Sequence, residues 1–199
     1  LLYFHGNGAF NLSRWIGHVI PLIDDGCRVI MMDYRGYGKS TGTPTHLNIA
    51  GDAQMLFDTL TVRGEFDGIP LIVYGKSIGT QVATNIARDN NSKISGLILE
   101  DMMASLPDAV TARTSPEHSE YLRKYLTSPY SARENVPLLR DIKLLVIHAT
   151  DDYIPIAQAK EVYDSARVTK MLWQYHRGHI MDQVQFPEEL VRRVNWLLE

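Results

Sequence analysis

The chain has 199 residues, of which 45% are hydrophobic and 22% charged, and these values fit one globular domain with a sizeable core. Its net charge of -3, with acids and bases interspersed, gives no reason to expect nucleic acid as a partner. Cys27 is the single cysteine, which excludes an internal disulfide, and without a Cys/His cluster we expect no metal site.

The chain begins at Leu1, without a methionine and already inside a predicted strand. No apolar run approaches the roughly 18 residues needed to cross a bilayer, and no signal peptide precedes the first strand. We interpret the amino terminus as truncated or processed, so the sequence leaves membrane anchoring open. The lone cysteine is compatible with a reducing compartment, and we expect a cytoplasmic protein.

Apolar, strand-like runs alternate with helical patterns along almost the whole chain. Strands are predicted at residues 1–5, 28–33, 70–74, 94–100, 143–148 and 170–175. Helices are predicted at residues 13–25, 47–62, 77–89, 156–166 and 187–198. Near-continuous apolar strands separated by helices indicate an α/β fold with a mostly parallel sheet and helices on both faces. We expect a single domain over residues 1–199, with ligands bound beyond the carboxyl ends of the strands.

A strand-to-helix turn at residues 75–79 (G-K-S-I-G) is the strongest candidate for a catalytic motif. An apolar run leads into it and an apolar helical pattern follows, as a turn carrying a nucleophilic serine requires. Glycines flank Ser77 because a Cβ on either side of so tight a turn would clash. The motif therefore predicts Ser77 as a nucleophile held above the edge of the sheet.

The first strand ends in a small, glycine-containing turn at residues 5–8 (H-G-N-G). Such a turn lets backbone N–H groups point into a cavity, which is what an oxyanion hole needs. We predict that the N–H of Asn7 pairs with that of Ile78, the residue after the nucleophile. His5 is expected to order this loop and not to carry protons.

The chain resembles the alpha/beta-hydrolase superfamily in three segments that occur in the same order. They are residues 5–7 (H-G-N), residues 33–40 (D-Y-R-G-Y-G-K-S) with Gly42 and Pro44, and residues 75–79. The chain is most similar to the serine aminopeptidase-like or monoacylglycerol-lipase-like branch, which includes depalmitoylating thioesterases. The resemblance covers nearly the whole chain and implies the alpha/beta-hydrolase fold, although the usual first two strands are missing from this sequence.

The resemblance also implies a lid over the serine, inserted at about residues 106–141. This segment is rich in tyrosine and charge, and it is short. A short lid predicts an open, shallow site and not a deep lipid tunnel.

Two aspartates compete for the role of the acid that the fold carries after the strand at residues 143–148. Asp151 lies four residues before Pro155, which matches the spacing of the family, whereas Asp152 matches the distance from His148. We choose Asp151, because the proline leads directly into the next helix, and keep Asp152 as the alternative. Asp101 is an outside candidate, since in this fold the acid can lie at the end of the preceding strand.

The base is expected in the loop after the last strand, which completes the order Ser, Asp, His. Gly178 and His179 resemble the Gly-His pair of the family, so His179 is preferred to His176. His148 ends an apolar strand and is expected to be a packing residue.

Together these residues predict a serine hydrolase that cleaves carboxylic ester or thioester bonds of small or acyl-chain substrates through an acyl-enzyme. Ser77, Asp151 and His179 would form the triad, and no metal or organic cofactor is required. Peptide-bond cleavage is the second choice, because a short lid gives a peptidase no obvious substrate gate. A non-catalytic binding protein on the same fold is an alternative of another class.

Overall fold

Six parallel strands form the central sheet in the computed structural model, which describes residues 1–8, 12–176, 178–179 and 186–199. The strands are β1 (Leu2–Phe4), β2 (Ile30–Met31), β3 (Ile72–Lys76), β4 (Gly96–Glu100), β5 (Lys143–Ala149) and β6 (Lys170–Tyr175). Their order across the sheet is β2-β1-β3-β4-β5-β6, and every neighbouring pair is parallel. The predicted parallel α/β sheet is confirmed.

Eight α-helices connect and cover the strands within the described residues. They are α1 (Ile20–Asp24), α2 (His46–Val62), α3 (Ile78–Asp89), α4 (Leu106–Thr111), α5 (Pro116–Tyr125), α6 (Ala132–Asn135), α7 (Ile156–Ser165) and α8 (Pro187–Trp196). None of the helices that the structure describes has the length and apolar character needed to span a membrane.

The strands carry apolar side chains on both faces, so each face of the sheet forms its own hydrophobic core. One core joins α2, α3 and α7 to alternate strand residues: Leu2, Phe4, Val73, Leu97, Leu99, Leu144 and Val146. The other joins α1 and α8 to the residues in between: Tyr3, Ile72, Tyr74, Ile98, Leu145 and Ile147. This alternation fixes which face each strand presents to which helices.

The predicted helix at residues 13–25 is broken into two 3₁₀ turns, Leu12–Arg14 and Ile16–His18, followed by α1. Gly17 is a poor helix former, and Pro21 lacks the backbone N–H that a continuous helix would need at that position. The sequence-based prediction of one helix here is therefore wrong, although the segment is helical in character.

Because all strands run in the same direction, their carboxyl ends meet at one edge of the sheet. The segments that follow β1, β3, β4, β5 and β6 begin at this edge, and the candidate site lies there.

Candidate active site

Ser77 is the single residue between the end of β3 and the start of α3, and its backbone is left-handed (φ 52°, ψ -119°). A Cβ on Gly75 would lie 2.4 Å from the carbonyl oxygen of Gly79, and one on Gly79 would lie 2.1 Å from that of Phe4. Both positions therefore require glycine. The N–H of Ser77 donates to the Glu100 carbonyl at 2.9 Å, which attaches the turn to the end of β4.

His179 bridges Ser77 and Asp152. Its Nε2 lies 3.0 Å from Ser77 Oγ, and its Nδ1 lies 2.9 and 2.8 Å from the two carboxylate oxygens of Asp152. The Asp152 side chain is fully buried, and it also accepts the N–H of Ile154 at 2.8 Å. Hydroxyl, imidazole and carboxylate thus form one continuous hydrogen-bonded chain.

Asp151 does not contact the imidazole of His179. Its carboxylate accepts the N–H of Gly178 at 2.9 Å and lies 3.5 Å from Nδ1 of the exposed His176. β5 runs on to Ala149, and of the two adjacent aspartates only Asp152 turns its side chain inward, where the Ile154 N–H holds it. The structure therefore corrects the choice of Asp151, and the alternative, Asp152, is the carboxylate that contacts His179.

A buried polar layer adjoins Asp152. The hydroxyl of Tyr175 donates to Asp101 at 2.7 Å, and the N–H of Ala149 donates to the same carboxylate at 3.2 Å. Burial, followed by the negative charge of Glu100, raises the pKa of Asp101 to about 7. Asp101, the outside candidate, is hence held by Tyr175 and Ala149 and not by His179.

His148 completes this layer. Its Nε2 lies 3.0 Å from the carbonyl oxygen of Ile154, and burial lowers the pKa of its imidazole. Possible ligand atoms of Asp101, His148 and Asp152 lie within 4.8 Å of one another, as a metal site would require. Each of the three also interacts with a protein group, although the buried Nδ1 of His148 has no hydrogen-bond partner among the described residues. The position of His148 agrees with the predicted packing role.

The loop after β1 lies against the Ser77 turn. A Cβ on Gly6 would come 3.3 Å from the Cβ of Ser77, and Gly79 in the first turn of α3 packs directly on the Phe4 carbonyl. Asn7 is exposed, and its side-chain oxygen accepts a hydrogen bond from Tyr37 at 2.5 Å. The fold thus brings the loop that carries Asn7 to the helix end that begins at Ile78, whose N–H is free of the α-helical ladder. Their joint action on an oxyanion stays a prediction.

His5 is fully buried among aromatic rings, where burial lowers the pKa of its imidazole. Its Nδ1 lies 2.7 Å from the Gly6 carbonyl oxygen, and its ring stacks on Trp15 and contacts Tyr34. These contacts agree with the predicted role in ordering the loop.

Tyr153 is a further residue at the site, and no sequence motif predicts a role for it. Its ring centroid lies 4.3 Å from that of His179. The Arg113 guanidinium lies 4.8 Å from the centroid of the same ring. Burial and then the charge of Asp152 raise the pKa of the Tyr153 hydroxyl, while Ser77 and Arg113 lower it part of the way. In the sequence, the position of Tyr153 next to Asp152 is the feature that could have placed it at the site.

An ion pair between Lys76 and Glu100 lies next to the Ser77 turn, with both side chains fully buried and 2.9 Å between Nζ and Oε1. Lys76 Nζ also lies 3.2 Å from Nδ1 of His18, and the Tyr74 hydroxyl donates to Glu100. A buried charge requires such partners, because its desolvation is otherwise uncompensated. This network connects β3, β4 and the segment after β1, and nothing in the sequence distinguishes Lys76 from an exposed turn lysine.

A profile of the alpha/beta hydrolase fold family matches residues 1–152, about three quarters of the chain. The chain belongs to the alpha/beta-hydrolase superfamily. It is 32% identical over 184 residues to the uncharacterized protein YfhR of Escherichia coli K12, and 29% identical over 208 residues to the lysophosphatidylserine lipase ABHD12 of Danio rerio. These alignments cover 92% and 96% of the chain, whereas the chain spans 63% and 52% of the two relatives.

Solved structures of low sequence identity share the fold of this chain. The Pyrococcus furiosus esterase Pf2001 superimposes with a TM-score of 0.75 at 19% identity, over 99% of this chain and 81% of that one. An alpha-beta hydrolase from Vibrio vulnificus superimposes with a TM-score of 0.81 at 22% identity, over 96% of this chain and 72% of that one. The predicted superfamily and fold are confirmed.

Proposed function

We propose that this chain is a serine hydrolase that cleaves carboxylic ester or thioester bonds through Ser77, His179 and Asp152. The observation that carries the proposal is the His179 imidazole, which lies 3.0 Å from the Ser77 hydroxyl and 2.8 Å from the Asp152 carboxylate. This is the arrangement that activates a serine nucleophile. The names of two similar proteins, an esterase and a lysophospholipid lipase, support an ester substrate.

In the first step His179 Nε2 accepts the proton of Ser77 as Oγ attacks the carbonyl carbon. Nδ1–H donates to Asp152 throughout, and this carboxylate holds the tautomer and stabilises the imidazolium. The charge that develops on the carbonyl oxygen would be bound by the N–H groups of Asn7 and Ile78, each contributing about 3–4 kcal/mol in comparable sites.

The imidazolium next protonates the leaving alkoxide or thiolate, which departs and leaves an ester on Ser77. Water attacks this acyl-enzyme while His179 removes its proton, and the carboxylic acid is released with the Ser77 hydroxyl restored. Every proton is returned within the cycle, so the residues of the chain suffice for the chemistry.

Fluorophosphonate labelling of the wild type and of Ser77→Ala tests the nucleophile. We expect the wild type to be labelled and to hydrolyse 4-nitrophenyl acetate and an acetyl thioester. Ser77→Ala should lose labelling and at least about 10⁴-fold of kcat. The matched control is Ser165, whose hydroxyl donates to the Val162 carbonyl at the end of α7. Ser165→Ala should keep both the labelling and the esterase activity. Equal labelling of the wild type and Ser77→Ala would exclude the assignment.

A further inference from the structure

Arg113 follows α4, in the segment between β4 and β5, and its guanidinium lies 4.8 Å from the centroid of the Tyr153 ring. The centroid of the same ring lies 4.3 Å from that of His179, whose Nε2 lies 3.0 Å from Ser77 Oγ. One aromatic ring therefore contacts both the positive charge of Arg113 and the imidazole next to the candidate nucleophile.

The other two arginines near α4 are neutralised by acids. Arg123 and Arg133 bind the Asp108 carboxylate at 2.9 and 2.6 Å, and Arg133 also binds Glu161 at 2.6 Å. Arg113 is exposed, and within the described part of the chain its guanidinium makes no ion pair and no hydrogen bond. Its contact with Tyr153 orients it and leaves its N–H donors available.

The two acids near Tyr153, Asp152 and Asp101, form no ion pair with the Arg113 guanidinium among the described residues. Asp152 is buried against His179, and Asp101 is buried against Tyr175. An arginine fork with free donors matches the two oxygens of a carboxylate or phosphate, and stacking on a ring reduces the entropy lost when it binds.

We propose that Arg113 forms a subsite for an anionic group of the substrate, a carboxylate or phosphate carried a few bonds from the scissile carbonyl. The subsite rests on the hydrolase function proposed above and narrows its substrate class to negatively charged esters or thioesters. Arg113 contributes recognition, whereas Ser77 and His179 carry out the chemistry.

The test compares two esters of similar length, mono-4-nitrophenyl glutarate, which is anionic, and 4-nitrophenyl hexanoate, which is neutral. We expect Arg113→Gln to lower kcat/KM for the glutarate ester five- to tenfold, chiefly through KM, and to change the hexanoate value less than twofold. Arg113→Lys should keep part of the preference, because it keeps the charge and loses the fork. Added salt should reduce the preference of the wild type.

Arg167→Gln is the matched control, since Arg167 is exposed and precedes β6, at the opposite end of the strands from Ser77. It should leave both substrates unchanged. If Arg113→Gln lowers kcat/KM equally for both esters, or lowers it for neither, the subsite is overturned. In either case, hydrolysis of the hexanoate ester by the wild type still supports the serine hydrolase. A wild type that neither hydrolyses the esters nor reacts with fluorophosphonate would overturn both.

Discussion

Tyr153 packs on the imidazole that we propose as the base. Its ring centroid lies 4.3 Å from that of His179, although 47% of the residue is exposed. Tyr153→Phe keeps this ring contact, and we expect kcat for 4-nitrophenyl acetate to stay close to that of the wild type. Tyr153→Ala should lower kcat roughly tenfold with little change in KM, because only Ser77 and Asp152 then orient the imidazole. A large loss of kcat in Tyr153→Phe would show that the hydroxyl, and not the ring, carries the effect.

The adjacent aspartates should respond very differently to substitution. Asp152→Asn keeps the size of the side chain but no longer favours the tautomer that lets Nε2 accept the Ser77 proton, so kcat should fall by about 10⁴. Asp151→Asn retains an oxygen that can accept the Gly178 N–H and should stay within a few fold of the wild type. Steady-state kinetics of the two variants distinguishes the two aspartates. A large loss of kcat in Asp151→Asn together with an active Asp152→Asn would identify Asp151 as the acid of the triad.

The site could be predicted from the sequence wherever one short motif fixes a residue's position. The G-K-S-I-G segment gives Ser77, and the Gly178–His179 pair gives the imidazole that contacts it. Asp151 and Asp152 could not be separated, because the outcome depends on which side chain the turn after β5 directs inward. Arg113 lies 40 residues before Tyr153 in the chain, and no local pattern specifies a contact between two residues so far apart.

At the scale of elements, α3 packs on β1 at a distance that only glycine permits. A Cβ on Gly79 would lie 2.1 Å from the Phe4 carbonyl and 2.8 Å from that of His5. Gly79→Ala should therefore lower the free energy of unfolding by about 3 kcal/mol and displace Ser77. Urea denaturation and fluorophosphonate labelling measure the two effects.

Gly51 in the exposed face of α2 provides the matched control. A Cβ there meets nothing within 4 Å, so Gly51→Ala should raise the free energy of unfolding by about 0.5–1 kcal/mol through helix propensity. Equal effects of the two substitutions would show that helix propensity, and not the contact with β1, governs position 79.

In the segment between β4 and β5, the first residues of the helices can be predicted from the sequence. α4, α5 and α6 each begin after a serine, Ser105, Ser115 or Ser131, whose hydroxyl accepts the N–H three residues on. These capping signals are local and can be recognised in the sequence. How the helices dock on the sheet, by contrast, is decided by contacts between residues far apart in the chain, such as Gln81 with the carbonyl of Met103.

At the scale of the molecule, Asp101 makes stability depend on pH. The pKa of an aspartate is near 3.9 in an unfolded chain, and burial raises that of Asp101 to about 7 in the folded protein. Between these values the folded state holds a proton that the unfolded state has released, so the free energy of unfolding falls as pH rises from about 4 to 7.

Asp101→Asn should remove this contribution and stabilise the protein by about 1–3 kcal/mol above pH 7, with little effect near pH 4. The backbone of Asp101 has a φ of 47°, which asparagine tolerates, and the amide oxygen can still accept from Tyr175 and Ala149. Urea denaturation of both proteins across pH 4–8 gives the difference curve. A flat difference would mean that Asp101 is ionised in the folded protein throughout that range.

The sequence indicates a parallel sheet because apolar strands alternate with helices, and this part of the fold is predictable from pattern alone. The two faces of the sheet are encoded in the same strands, since alternate residues enter different cores. The strand order, with β1 between β2 and β3, depends on packing across the whole chain, so no short segment of the sequence predicts it.

The left-handed backbone of Ser77 has a consequence for thermal resistance. A conformation of this kind costs a side-chain-bearing residue on the order of 1–3 kcal/mol, and glycine would avoid it. The inactive Ser77→Gly protein should therefore melt a few degrees above Ser77→Ala, in which the methyl group keeps the strain. Equal melting temperatures would mean that the neighbouring contacts have absorbed the strain. At this one residue, thermal stability and the proposed reactivity of the hydroxyl would therefore make opposite demands on the backbone.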